Sequence, residues 1–107
     1  MIEITYTRRE NKVVIQGHAG AGKKGEDIVC AGVSALANTL AANVRHWDKF
    51  KKLIGEPKTF LQEGFGEISC NPKPKYEQSV KQVFTAICAG FELCAVSAPE
   101  HVKFIIE

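Results

Sequence analysis

Two stretches of this chain repeat their apolar residues every three or four positions, and each is flanked by segments that alternate or run β-branched. Val29, Val33, Leu36, Leu40, Val44 and Trp47 form one stripe; Val80, Phe84, Ile87, Phe91 and Cys94 form the other. That spacing predicts two helices, each with one face to bury. Around them, Ile2 to Thr7 alternates, Arg9-Glu10-Asn11 supplies a turn and Lys12 to Gln16 is β-branched, which predicts a hairpin. Lys58 to Gln62 and Phe65 to Cys70, separated by Glu63-Gly64, predict a second hairpin, followed by a loop at Asn71-Pro72-Lys73-Pro74. The first helix is expected to fade near Leu53 to Gly55; Pro99 stops the second, and His101 to Ile106 reads as a closing strand. The order ββαββαβ predicts an α/β fold: a single two-layer domain over residues 1–107, with a mixed sheet and two helices.

Composition excludes several classes of protein. The 107 residues suit one domain with one modest core, and 45% apolar with 24% charged residues is an ordinary globular balance. A formal charge of +2, from 14 basic and 12 acidic residues spread along the chain, is too weak to argue for nucleic-acid binding. The start MIEITYTRRENK lacks a basic segment followed by an apolar one, and no uninterrupted apolar run reaches the ~18 residues of a membrane helix, so a cytoplasmic protein with no membrane partner is expected. Cys30, Cys70, Cys88 and Cys94 show neither CxxC spacing nor paired histidines nearby, so neither a zinc site nor a redox dithiol is signalled.

The stretch GHAGAGKK, Gly17 to Lys24, fits the phosphate-loop pattern at every position except the last. Lys24 stands where a serine or threonine would hold magnesium, and Glu26 and Asp27 place two carboxylates where a polyphosphate would be repelled. A histidine and a cysteine offer different chemistry there. His18 ends a strand, and Cys30 follows twelve residues later, just inside a helix that Asp27 is suited to cap. With that cap Cys30 is the third helical residue, where the positive end of the helix and a nearby imidazolium both favour a thiolate. Asp27 opposes the thiolate by its own charge, and serves better as a cap or by orienting His18. Cys30 shares its face with the small residues Ser34, Ala37 and Ala41, a face able either to pack on a sheet or to leave room for a peptide. A buried structural cysteine and a structural histidine are the competing readings of the same two positions.

The string GHAGAGKKGEDIVCAGVSAL resembles the signature of the bacterial ribosomal-processing cysteine protease family: Gly-His-Ala, a variable glycine-containing loop, then Asp-Ile-Val-Cys-Ala-Gly-x-Ser-Ala. The resemblance extends over the whole chain in length and element order. It implies a catalytic dyad of His18 and Cys30, with Asp27 and Ser34 in supporting positions, and a substrate loop over the site in which Gly17, Gly20, Gly22 and Gly25 permit conformations closed to other residues. It further implies that the substrate is the N-terminal peptide of a ribosomal protein precursor, large-subunit protein number twenty-seven, whose extension is removed. Backbone amides near the helix start, that of Cys30 included, are expected to hold the oxyanion. No metal or cofactor is implied, no direct nucleic-acid contact is required, and the family is similar in forming homodimers. The small-residue faces and the exposed-looking Trp47-Phe50 end of the first helix are compatible with a dimer.

The other candidates carry less chemistry. Cys70, Cys88 and Cys94 read as core or edge residues, and His46 and His101 lack a partner at ligand spacing. Lys49, Lys51 and Lys52 read as a solvated helix end, or as part of a surface that meets a ribosomal precursor or RNA. The second of these underlies the alternative reading, a non-catalytic ribosome-associated binding module.

Overall fold

A computed structural model describes the backbone of residues 1–18 and 24–107, and the side chains of 1–18 and 28–107. Strand β1 (Ile2–Thr7) turns through a short 3-10 segment (Arg8–Glu10) into β2 (Lys12–Gly17). Helix α1 (Lys24–Lys49), the hairpin β3 (Lys58–Gln62) and β4 (Phe65–Ser69), helix α2 (Glu77–Ser97) and β5 (Val102–Ile106) follow. The predicted order ββαββαβ is therefore the observed one. Within the sheet the strands lie β3-β4-β2-β1-β5, antiparallel at every pairing except β1 with β5, which is parallel.

Local chemistry explains these elements. On β1 the alternation buries Ile2, Ile4 and Tyr6 and leaves Glu3 exposed, which assigns the helices to one face of the sheet. Asn11 closes the first turn at φ 46, in the left-handed region where asparagine is among the best tolerated residues. α1 buries Val33, Ala37, Leu40, Val44 and Trp47, and α2 buries Val80, Phe84, Cys88 and Phe91. Phe84 joins the layers by stacking on Tyr6 of β1 (5.9 Å between centroids) and Trp47 of α1 (6.5 Å). Both helices are long and apolar enough to cross a membrane by length and composition, although polar residues interrupt their apolar runs. Each nevertheless commits a buried stripe to this core.

Three expectations need correction. Of the two aromatics at the end of α1, Trp47 is buried and Phe50, just past the helix, is exposed, because the indole completes the stripe against Phe84. Cys88 lies within the buried stripe of α2, whereas Ile87 and Cys94 are half-buried at its margins. α1 ends at Lys49, short of Leu53 to Gly55. There Lys51 adopts φ 58, its N–H donates to the Asp48 carbonyl (3.1 Å) and the Lys52 N–H to the Trp47 carbonyl (2.9 Å), a closure of the last turn usually built on glycine.

Candidate active site

The end of β2, the start of β1 and the β3–β4 turn meet at one end of the sheet. Gly17, the last residue of β2, sits at φ +96, and a Cβ there would lie 2.2 Å from the Met1 carbonyl oxygen. Its N–H donates to the Gly64 carbonyl (2.9 Å), while the Met1 nitrogen donates to the His18 carbonyl (2.5 Å). These bonds fix the backbone from which His18 projects. The imidazole rests on the turn: a Cβ on Gly64, itself at φ +83, would stand 2.9 Å from His18 Nε2 and 3.2 Å from Cε1.

Cys30 reaches the same place from α1. It is half-buried, packed against the margin of the core, and lines with His18 a cleft of about 490 Å³ between α1 and the β3–β4 hairpin. Ile2, Ile15, Val33 and Leu61 give the cleft an apolar floor, and Ser34 stands on its α1 side, one turn beyond Cys30. Gly66 also lines it, and a Cβ there would press on Leu61 Cδ2 at 2.7 Å, so glycine keeps the floor low. His18 and Cys30 thus share one cleft without hydrogen-bonding to each other, and among the described residues no cluster of metal-ligating side chains occurs. A dyad that tightens only around substrate has this open form.

The remaining predicted site residues fall as follows. Gly17 belongs to β2 and Gly25 to α1; Gly20 and Gly22 lie outside the described residues, as does the Asp27 side chain. α1 begins at Lys24, so Asp27 is not its cap, and Cys30 is its seventh residue. Glu26 and Asp27 then fall within the first turn of its backbone. At the seventh position the Cys30 amide belongs to the i→i−4 ladder, which removes it as the expected oxyanion donor. The opposite wall, Leu61, Gly64 and Gly66, escaped the sequence reading. Its one signal was two glycines flanking Phe65 at a strand start, a mark of close approach by another group.

The other thiols differ in setting from Cys30. Burial pushes the Cys70 thiol up to about 11 and the Cys88 thiol up to about 12, and raises that of Cys94. Alkylation proceeds through the thiolate, so raising these values keeps the three thiols protonated at neutral pH. Iodoacetamide at pH 7.5 is expected to label Cys30 first, with Cys70 and Cys88 reacting slower by roughly 10²-fold or more. Peptide mapping by mass spectrometry checks the order, and labelling of Cys88 before Cys30 contradicts it.

The comparisons with known proteins agree with a thiol-dependent site. The sequence model of a cysteine protease family matches residues 1–103, and the chain is a cysteine protease. That family is cysteine protease Prp, and the chain belongs to it. The fold is similar to SMU.848 from Streptococcus mutans (28% identity, TM-score 0.69, covering 99% of this chain and 93% of that one). It is also similar to the essential ribosomal processing protease Prp from S. aureus. That protein was solved with a covalently linked product peptide (19% identity, TM-score 0.73) and with a substrate peptide (18%, 0.70), both chains being covered over 100% of their length. No curated protein sequence gives a significant match.

Proposed function

We propose that residues 1–107 act as one protease domain that removes the N-terminal extension of a large-subunit ribosomal protein precursor, number twenty-seven, by means of a His18/Cys30 dyad. The observation that carries this reading is the cleft shared by an accessible thiol and an imidazole from different elements. Family membership and the peptide complexes of the S. aureus protein support it, and both favour a protease over a non-catalytic binding module. His18 accepts the Cys30 proton, and the sulfur attacks the scissile carbonyl. The C–N bond breaks as His18 returns the proton to the leaving amine, leaving a thioester on Cys30. Water, deprotonated by His18, then adds to the thioester and releases the new carboxylate and the thiol. Ser34 borders the sulfur's side of the cleft, and the apolar floor receives a side chain of the peptide. The cycle requires no cofactor or metal. A cytoplasmic homodimer is the form proposed for the enzyme.

Incubating the protein with a synthetic peptide spanning the precursor's N-terminal extension tests the reading. Mass spectrometry is expected to find one internal cut; an intact peptide in the presence of folded protein overturns it. The seat of His18 gives a further expectation. Gly64→Ala places a methyl 2.9 Å from Nε2, so the ring must leave its position, and displacement of a reacting group by about 1 Å costs roughly 10²-fold in rate. Steady-state cleavage by Gly64→Ala is expected to show that loss in kcat/KM, and wild-type kinetics would rule out this seat as the productive one.

A further inference from the structure

The cleft is bordered by a sheet edge with a short stretch of open backbone. Among the described residues β3 is the outermost strand on its side of the sheet, paired only with β4. Gln62 pairs with Phe65 across the two-residue turn Glu63-Gly64, and so tight a turn obliges that pair to exchange both of its hydrogen bonds. By alternation Lys58, Phe60 and Gln62 direct their N–H and C=O groups at β4, whereas Thr59 and Leu61 direct theirs away from the sheet. Two other bonds agree with this parity: Gly64 gives its carbonyl to Gly17 of β2, and the outward Thr59 carbonyl accepts Arg45 Nη2 from α1 at 3.1 Å.

Arg45 therefore closes the edge at Thr59, with Pro57 and Lys58 before it, residue types that commonly guard sheet edges. The guard stops short of Leu61. Its outward N–H and C=O have no partner among the described residues, and Leu61 lines the cleft that holds Cys30 and His18. From Phe60 to Glu63 the open edge measures about 10 Å at the rise of an extended chain, enough for about three residues of a partner strand.

We infer that the substrate binds as an added strand on β3, exchanging main-chain hydrogen bonds with Leu61 and so lying along the cleft past Cys30. This rests on the protease reading and deepens it. Strand addition draws affinity from the peptide backbone and leaves choice to the pockets under alternate side chains. The cleft's apolar floor lies beneath one such side chain, while the neighbouring residues point elsewhere.

Amide-to-ester replacement, one position at a time along the precursor peptide, tests this, because an ester removes an N–H without adding bulk. One position is expected to raise KM by tenfold or more, with both neighbours tolerated and kcat little changed at that position. Leu61→Pro, which deletes the outward N–H from an edge position where proline is accommodated, is expected to raise KM for the all-amide peptide likewise. Uniform tolerance, or sensitivity at consecutive positions, overturns strand addition while leaving cleavage intact. An all-amide peptide that is never cut removes the protease reading; fluorescence polarisation of the same ester set on Cys30→Ala still reads strand addition, and absence of binding there overturns it. A dimer that Leu61→Pro dissociates in sedimentation, with no ester-sensitive position, assigns the edge to a second copy and also overturns it.

Discussion

Cys30→Ala is expected to lower kcat for cleavage of the precursor peptide by roughly 10⁴-fold or more, since without the sulfur no acyl-enzyme forms and the remaining groups supply only binding. His18→Ala removes the proton acceptor and donor and is expected to cost roughly 10²- to 10⁴-fold. The double variant should be little worse than Cys30→Ala alone, because the two groups act as a unit. Cys30 is half-buried at the core's margin and His18 is exposed, so their thermal melts should stay close to wild type. Single-turnover kinetics beside melting curves separate these effects. A Cys30→Ala protein that cuts within tenfold of wild type is incompatible with a cysteine nucleophile at this position.

Gly17→Ala should produce the largest loss of stability among substitutions near the site. The residue sits at φ +96, outside the regions open to alanine, at a cost of about 1–3 kcal/mol. Its new Cβ would also fall 2.2 Å from the Met1 carbonyl oxygen, a main-chain atom that moves only if the start of β1 moves with it. Together these are expected to cost about 3 kcal/mol or more, which for a domain of this size lowers Tm by roughly 12–24 °C. Gly17→Asn tolerates positive φ better but keeps the collision, so it should recover only part of the loss. Both variants also release the backbone from which His18 projects, and cleavage should fall even at temperatures where they remain folded. A melt of Gly17→Ala within 2 °C of wild type would mean that the end of β2 relaxes freely.

The periodic segments of this chain were legible because burial and pattern agree. Lys58 to Gln62 alternates as a strand should and forms β3, and the steps from Val33 through Leu40 to Trp47 mark the face that α1 buries. Element ends were less legible. Gly25-Glu26-Asp27 reads as an approach to a helix because glycine weakens helix interiors, yet the backbone of α1 already includes these positions. The C-terminal closure of α1 was hidden because it uses Lys51 at positive φ, where the sequence signal is normally glycine.

Half of the candidate site was legible for a related reason. A histidine at a strand end and a cysteine near a helix start are close in the chain, so their meeting needs only one short connection. The facing wall comes from Leu61, Gly64 and Gly66, more than thirty positions after Cys30. Its place depends on β4 pairing with β2, a long-range choice in the order β3-β4-β2-β1-β5 that strand patterns alone do not specify. The same pairing puts Gly64 against Gly17 and so supplies the seat for the His18 ring.

The central claim is that Cys30 carries the acyl group, and trapping that intermediate tests it most directly. Enzyme mixed with excess precursor peptide and quenched in acid within milliseconds should show, by intact mass, a fraction heavier by the N-terminal fragment less one water. Peptide mapping should place the thioester on Cys30, and the adduct should be absent from Cys30→Ala. An adduct on Cys70, Cys88, Cys94 or a serine, or cleavage that proceeds in Cys30→Ala, would contradict the account.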